Sequence, residues 1–324
     1  MINNNLLLNN NLNLENLLKG LFEGIIIILI LYRGFTSVIN NNLSLGSLIT
    51  YNTLILYFLT PIKNTLDFYK EFYYIKNSLI RINNLINYKY ESLDLKQNIT
   101  IRGNIHITNL NYSYNKHYSV LNNLTLDIEE RSRVLILGSS GSGKSTILKL
   151  LYRYYEIGKN MIFINNKDLL NYDVADIRNN ITYVSQNEYL YTDTIKNNII
   201  LDRNIPESKF ITICKLLYID DFVKDKPLAY DYIVEENGAN LSGGERQRII
   251  LARALLKESN YLFIDEGLNE IDINLERKIF KNLFLYYRNK TIIIISHRTD
   301  NMDLFDNVIY LEKGNIINNV KRRN

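Results

Sequence analysis

Three strings in this chain hold the residue types that phosphate chemistry needs. Residues 138–146 read Gly-Ser-Ser-Gly-Ser-Gly-Lys-Ser-Thr. Gly138, Gly141 and Gly143, with Ser139, Ser140 and Ser142 between them, let the backbone curl until successive N–H groups face phosphate oxygens. Lys144 can then reach the β- and γ-phosphates, and the Ser145 hydroxyl can ligate Mg²⁺. Thr146 continues into a helix whose N-terminus adds partial positive charge. In the second string, Asp265-Glu266 closes the apolar run Tyr261-Leu262-Phe263-Ile264. Asp265 is the natural Mg²⁺ partner, directly or through water, and Glu266 is the candidate base that polarises an attacking water. The third string, Ser296-His297-Arg298, follows Ile292-Ile293-Ile294-Ile295. His106 and His117 read as structural, whereas His297 stands at a strand end on the same expected edge.

These residues need a frame that brings strand ends together. Val134-Leu135-Ile136-Leu137 and the runs before Asp265 and Ser296 are short, continuous and apolar, as strands of a parallel sheet buried on both faces are. Strand, glycine loop and helix form the context in which the loop binds phosphate. A second phosphate-capable segment, Leu241-Ser242-Gly243-Gly244-Glu245-Arg246-Gln247-Arg248, opens a helix with Ser242 as its N-cap. Within one fold this segment does not easily reach the nucleotide held by Lys144.

The loop at 138–146 and the segment at 241–248, in this order, resemble the ATPase domain of ABC transporters, over roughly residues 100–317. The resemblance implies an α/β P-loop NTPase with a helical subdomain. It implies that Tyr114 stacks on adenine and that His297 contacts the γ-phosphate. Gln186, in Tyr183-Val184-Ser185-Gln186, would touch the metal or the attacking water. It implies also that Leu241, Ser242, Gly243, Gly244, Glu245 and Gln247 contact the ATP of a facing subunit, so that two sites form only on dimerisation. ATP and Mg²⁺ are the expected ligands. Tyr232 to Gly238 resembles an exporter loop that contacts the membrane domain, with Glu235 in place of the usual glycine. Asn269-Glu270-Ile271-Asp272 stands where the family favours Ser-Ala-Leu-Asp.

The first hundred residues are of another kind. Apolar residues crowd from Leu17 to Ile39, bracketed at their centre by Glu23 and Arg33, and no charged residue occurs from Gly34 to Ile62. Leu45 to Ile62 has the length of a membrane span. With a turn at Asn40-Asn41-Asn42, and with Lys19, Lys63, Lys70, Lys76 and Arg81 at the outer ends, the pattern predicts a transmembrane hairpin whose ends face the cytoplasm. A helical pair buried against the ATPase domain is the alternative. Leu45-Gly46-Ser47-Leu48-Ile49, Pro61-Ile62 and Ser78-Leu79-Ile80-Arg81-Ile82 resemble the last transmembrane helix of ABC exporters and its cytoplasmic extension. The earlier helices of an exporter half are missing, so either the chain is a fragment or another polypeptide supplies them.

Composition sets bounds. The 324 residues are 46% hydrophobic and 22% charged with net charge +4, and the charges interleave, which argues against a nucleic-acid surface. The single Cys214 reads as a buried apolar residue in a reduced compartment. No cleavable signal pattern opens the chain. The expected layout is a partial transmembrane domain at 1–95, with helices at about 17–39 and 45–68 and a cytoplasmic helical extension, a linker over Asn84–Gln97, and an ABC ATP-binding domain at 100–324. The expected protein is a multi-pass subunit of the cell membrane with its ATPase cytoplasmic, exporting a substrate; Tyr183-Val184-Ser185-Gln186-Asn187-Glu188 is similar to peptide and bacteriocin exporters. Its expected partners are a second ABC ATPase domain, the missing helices, the lipid bilayer and the cargo. A soluble ABC-type ATPase acting on nucleic acid or ribosomes, and a non-catalytic remnant of a split gene, are the rivals.

Overall fold

The structure is a computed structural model that describes residues 2–87, 99–115 and 118–322. Its contacts divide the chain into two compact units, Met1–Tyr90 and Glu91–Asn324. Most of the segment read as a linker, and His117, lie outside the described residues.

The first unit is a pair of helices, α1 (Ile2–Ile39) and α2 (Leu45–Ile86), joined by a turn in which Asn41 takes φ +55°. Ser44 caps α2, accepting from the Ser47 N–H at 3.1 Å. The helices approach closely where Gly34 faces Leu48: a β-carbon on Gly34 would collide with the Leu48 side chain. The expected transmembrane hairpin is corrected here. Among the described residues no helix is long and apolar enough to cross a membrane. The uncharged stretch is interrupted by Thr50, Asn52 and Thr53, and the two threonine hydroxyls turn back onto the carbonyls of Gly46 and Ile49 at 2.9 Å. Freedom from charge over Gly34–Ile62 is a weaker property than sustained apolarity, and a spanning helix needs the second. The multi-pass membrane location expected from the sequence loses its support with the hairpin.

The second unit is built on a six-stranded sheet. Its strands are β3 (Arg133–Gly138), β6 (Ile181–Val184), β9 (Tyr261–Asp265), β10 (Thr291–Ile295), β11 (Asn307–Glu312) and β12 (Asn315–Lys321). They lie in the order β12-β11-β3-β10-β9-β6, all parallel except the antiparallel edge strand β12. Alternate residues serve opposite cores. Leu135, Leu262, Leu137, Ile264, Ile292 and Ile294 pack with the helical side of the unit. Val134, Ile136, Phe263, Ile293 and Ile295 pack with β1 (Ile105–Asn115), β2 (Tyr118–Ile128) and α3 (Lys144–Leu151). Two covered faces are why these strands read as unbroken apolar runs.

β1 and β2 form an antiparallel sheet with β4 (Ile162–Ile164) and β5 (Lys167–Asp168). α4 (Val174–Asn180) leads into β6. The helical subdomain holds α5 (Ile195–Ile200), α6 (Glu207–Leu216), α7 (Ile219–Val223) and α8 (Gly243–Leu255), with the short pair β7 (Asp193–Thr194) and β8 (Ile233–Val234). α9 (Ile273–Tyr286) returns from β9 to β10. Cys214 is fully buried in this subdomain, and burial pushes its thiol up to about 12, so it is inert as a nucleophile. Glu235, where a glycine is usual, takes φ −76°, an ordinary conformation, and the left-handed turn falls instead on Asn237 and Gly238, at φ +52° and +74°.

Candidate functional site

β3, β6, β9 and β10 are parallel neighbours in the sheet, so Gly138, Gln186, Glu266 and His297 emerge from the same edge. A cavity of about 330 Å³ lies there, lined by Tyr114, Val120, the loop 140–146, Gln186, Glu266 and His297. The loop closes onto α3 through Gly143, whose φ of +102° and contact with Leu121 leave no room for a side chain. Gly143 offers no side-chain cap, so the first amides of α3 remain available to an anion.

Lys144 lies beneath the loop, buried, donating to the carbonyls of Gly138 and Ser139 at 2.9 Å each. Burial lowers its pKa from the ordinary lysine value, and the nearby Glu266 and Asp265 carboxylates oppose that shift. Among the described residues the buried Ser142 hydroxyl has no hydrogen-bond partner, an orphan that a phosphate oxygen would satisfy. Ser145 Oγ donates to Asp265 Oδ1 at 2.8 Å, and the Tyr183 hydroxyl donates to Asp265 Oδ2 at 2.9 Å. Burial and the Asp265 carboxylate together push the Tyr183 phenol far above its usual range, so it acts as a neutral donor.

Glu266 is held from three sides. Gln186 Nε2 donates to Oε2 at 2.7 Å, His297 Nε2 meets Oε1 at 2.6 Å, and Asn269 Nδ2 lies 3.4 Å from Oε2. The backbone at Glu266 is left-handed, φ +56°, pinned by its N–H to the Ile295 carbonyl at 3.1 Å. An acidic residue in that region is strained, and the strain aims its carboxylate into the cavity. Its side chain is 12% exposed, against 39% for His297.

Tyr114 donates to or accepts from Thr146 Oγ1 at 3.0 Å and packs edge-on against Tyr112 and Tyr155 at centroid distances of 5.2 and 5.1 Å. Its ring borders the cavity, 45% exposed. The second phosphate-capable segment, residues 241–248, hereafter the signature segment, lies elsewhere. Ser242 caps α8 in a reciprocal box with Glu245: the Glu245 N–H donates to Ser242 Oγ at 3.3 Å and the Ser242 N–H to Glu245 Oε2 at 2.9 Å. Gln247 Oε1 accepts from the Glu270 N–H at 2.9 Å, and Leu241 packs on the helical core. None of Leu241–Gln247 lines the cavity.

Sequence reasoning missed three residues that shape the site. Tyr183, in sequence merely a neighbour of Gln186, shares Asp265 with Ser145. With 25 tyrosines in the chain, composition gave no reason to single it out. Arg298 donates to the carbonyls of Ile271 and Asn269 at 2.6 and 2.5 Å, clamping the segment after Glu266. Asn269 itself reaches the Glu266 carboxylate. Arg298 and Asn269 neighbour recognisable site residues, but their roles depend on contacts across the fold.

Residues 121–269 match the family described as ABC transporter. The second unit is an ABC-type ATPase domain, and it binds nucleotide. Among its relatives, the chain is 39% identical over 219 residues to an "ATP-dependent lipid A-core flippase" of Wigglesworthia glossinidia brevipalpis, covering 67% of this chain and 38% of the relative. It is 37% identical over 218 residues to the flippase of the same name in Legionella pneumophila (strain Paris), covering 67% of this chain and 37% of that protein. A solved structure, "Structure of a bacterial Atm1-family ABC exporter with ATP bound", aligns with a TM-score of 0.69 and 28% identity, over 86% of this chain and 50% of the other. The chain thus spans well under half the length of these two relatives. The comparisons bear out the ABC ATPase domain and its fold; the spanning hairpin expected before it is corrected by the helices themselves, none of which, among the described residues, is long and apolar enough to cross a membrane.

The ABC ATPase domain has oxygen donors suited to a hard divalent cation. Among the described residues no three or more His, Cys, Asp and Glu side chains gather as a metal cluster. Ser145 Oγ and Asp265 Oδ1 nevertheless converge at 2.8 Å beside the phosphate loop, which fits Mg²⁺ completed by phosphate and water oxygens.

Proposed function

We propose that this ATPase domain hydrolyses MgATP with Glu266 as the base, and that it works as the motor of a larger ABC exporter. The observation that carries the chemistry is the Glu266 carboxylate, held by Gln186 and His297 at the floor of the phosphate-loop cavity. ATP lies with its adenine against Tyr114 and its phosphates in the loop 138–146. Lys144 exchanges its two carbonyl partners for β- and γ-phosphate oxygens, and Ser142 gains the partner it lacks. Ser145 and Asp265 would hold Mg²⁺, and Gln186 would touch it or the attacking water. When bound, the cation neutralises phosphate charge. Glu266 orients the water and accepts its proton, while His297 keeps the carboxylate aimed and faces the γ-phosphate.

The signature residues Leu241, Ser242, Gly243, Gly244, Glu245 and Gln247 take the phosphates of a facing ATPase domain. Their distance from the cavity of their own chain supports this reading, as does the helix N-terminus that Ser242 opens. Two nucleotides then join two domains, and opening after hydrolysis drives transport by a membrane partner that carries the cargo path. The relatives named as flippases and the aligned exporter support the assignment to an exporter.

The direct test is turnover of the Glu266→Gln chain. A loss of about 10²–10⁴ in kcat with ATP affinity retained is the expected outcome, the usual contribution of a positioned base. Near-normal turnover in pure mutant protein rejects Glu266 as the base.

A further inference from the structure

The segment Asn269–Asp272 departs from the family pattern most at Glu270, an acidic residue where a small apolar one is favoured. The structure places that acid on the signature segment of its own chain. A β-carbon on Gly243 would collide with Glu270 Oε2 and lie 3.1 Å from Glu270 Cβ, so the side chain fills the space that the missing Gly243 side chain leaves. Gly244 sits against the Glu270 backbone, its built β-carbon 3.3 Å from the Glu270 carbonyl. The Glu270 carboxylate pairs with Arg246 at 3.1 Å, and its N–H is held by Gln247 Oε1 at 2.9 Å. The carboxylate is half-exposed, so it can move.

Its position is electrostatically coherent. The first turn of α8 presents amides and partial positive charge, which attract an anion. Glu245 spends its carboxylate on the capping box and on Lys226 at 3.4 Å. Arg248 is turned inward to the carbonyls of Gly244 and Tyr218 at 3.2 and 2.6 Å. Arg246 is the cation of this segment that pairs with Glu270, at 3.1 Å.

Resting on the nucleotide-bridged reading above, we infer that Glu270 is an internal anion on the signature segment, and that it competes with the facing chain's phosphate for Arg246 and the α8 N-terminus. Nucleotide-bridged closure then requires the Glu270 carboxylate to swing off Gly243 and release Arg246. The residue sets the ATP concentration at which two domains close, and leaves the Lys144 site of its own chain untouched.

The two members of the pair have opposite signs under this assignment, which a purely structural ion pair does not give. In the full-length chain carrying Glu266→Gln, sedimentation velocity with rising ATP reads the dimer. Adding Glu270→Gln removes the competing charge while keeping the backbone N–H to Gln247, and should tighten the dimer roughly tenfold, the scale of one close charge at high effective dielectric. Glu270→Asp, which keeps the charge, should stay near the parent. Arg246→Gln strips the neutralising cation and should loosen the dimer. The gain from Glu270→Gln should shrink as KCl rises, since screening weakens a charge effect. Thermal melts and monomer ATP affinity matching the parent establish that each variant is folded. Loosening by Glu270→Gln, or the same sign for both substitutions, overturns the inference. A Glu266→Gln parent that forms no dimer with ATP overturns the reading beneath it as well.

Discussion

Two helices of the ATPase domain have glycine at their N-terminal boundary, and they close that end differently. α3 starts at Lys144 after Gly143, with no side-chain cap, a buried lysine and an orphaned serine hydroxyl around its first amides. α8 starts at Gly243 after Ser242, with a reciprocal capping box and the Glu270 carboxylate packed on its first residue. Both have the dipole and amides that favour an anion. The first leaves those groups to a ligand, whereas the second satisfies much of its own end. On the proposed reading, the difference separates a primary nucleotide site from a surface that completes another one.

Substitutions should therefore act on different observables at the two helices. The largest expected effect is the loss of turnover in Glu266→Gln, which needs the cavity and should leave the signature face intact. Ser242→Arg is the counterpart on α8. It should abolish ATP-driven dimerisation while leaving monomeric ATP binding within about twofold, because Ser242 does not line the cavity. Calorimetry on the monomer together with sedimentation checks both halves of that statement. Equal losses in both would mean that the two helix ends belong to one site.

Lys144→Ala should weaken ATP binding itself by about ten- to a hundredfold, the worth of a charge-assisted hydrogen bond to phosphate. Calorimetric titration reads it, and unchanged affinity would contradict the placement of Lys144 on the β- and γ-phosphates. The smallest effect should come from Ser242→Ala, which removes half of the capping box. A loss of about 1 kcal/mol of stability is expected in chemical denaturation, with turnover falling by more than the stability change accounts for if the hydroxyl also meets phosphate. A change in stability alone would leave Ser242 as a cap and nothing more.

What could be read in advance follows the range of the physics involved. The runs 134–137, 261–264 and 292–295 announced a two-sided buried sheet because burial on both faces acts on every residue of a strand. The phosphate loop, Asp265, Glu266 and His297 were legible because strand ends in a parallel sheet converge. Tyr183 and Arg298 gave no signal, since each acts through a partner more than twenty residues away in sequence, whereas Glu270 stood out only as a departure from the family pattern, without its contact to Arg246. The hairpin differs from its expectation for another reason. Absence of charge over Gly34–Ile62 does not amount to membrane affinity, because its threonines and asparagines dilute the apolar run and α2 continues to Ile86 through Lys70, Glu71, Lys76 and Arg81.

The central claim is that the Lys144 loop of one chain and the Ser242 segment of another share a nucleotide. Sedimentation velocity of the full-length Glu266→Gln chain tests it most directly, run with no nucleotide, with MgADP and with MgATP. The account predicts monomer in the first two and dimer in the third, because only ATP carries the γ-phosphate that bridges the chains, and it predicts that Ser242→Arg returns the third to monomer. A dimer indifferent to nucleotide, or one that survives the arginine, would contradict it.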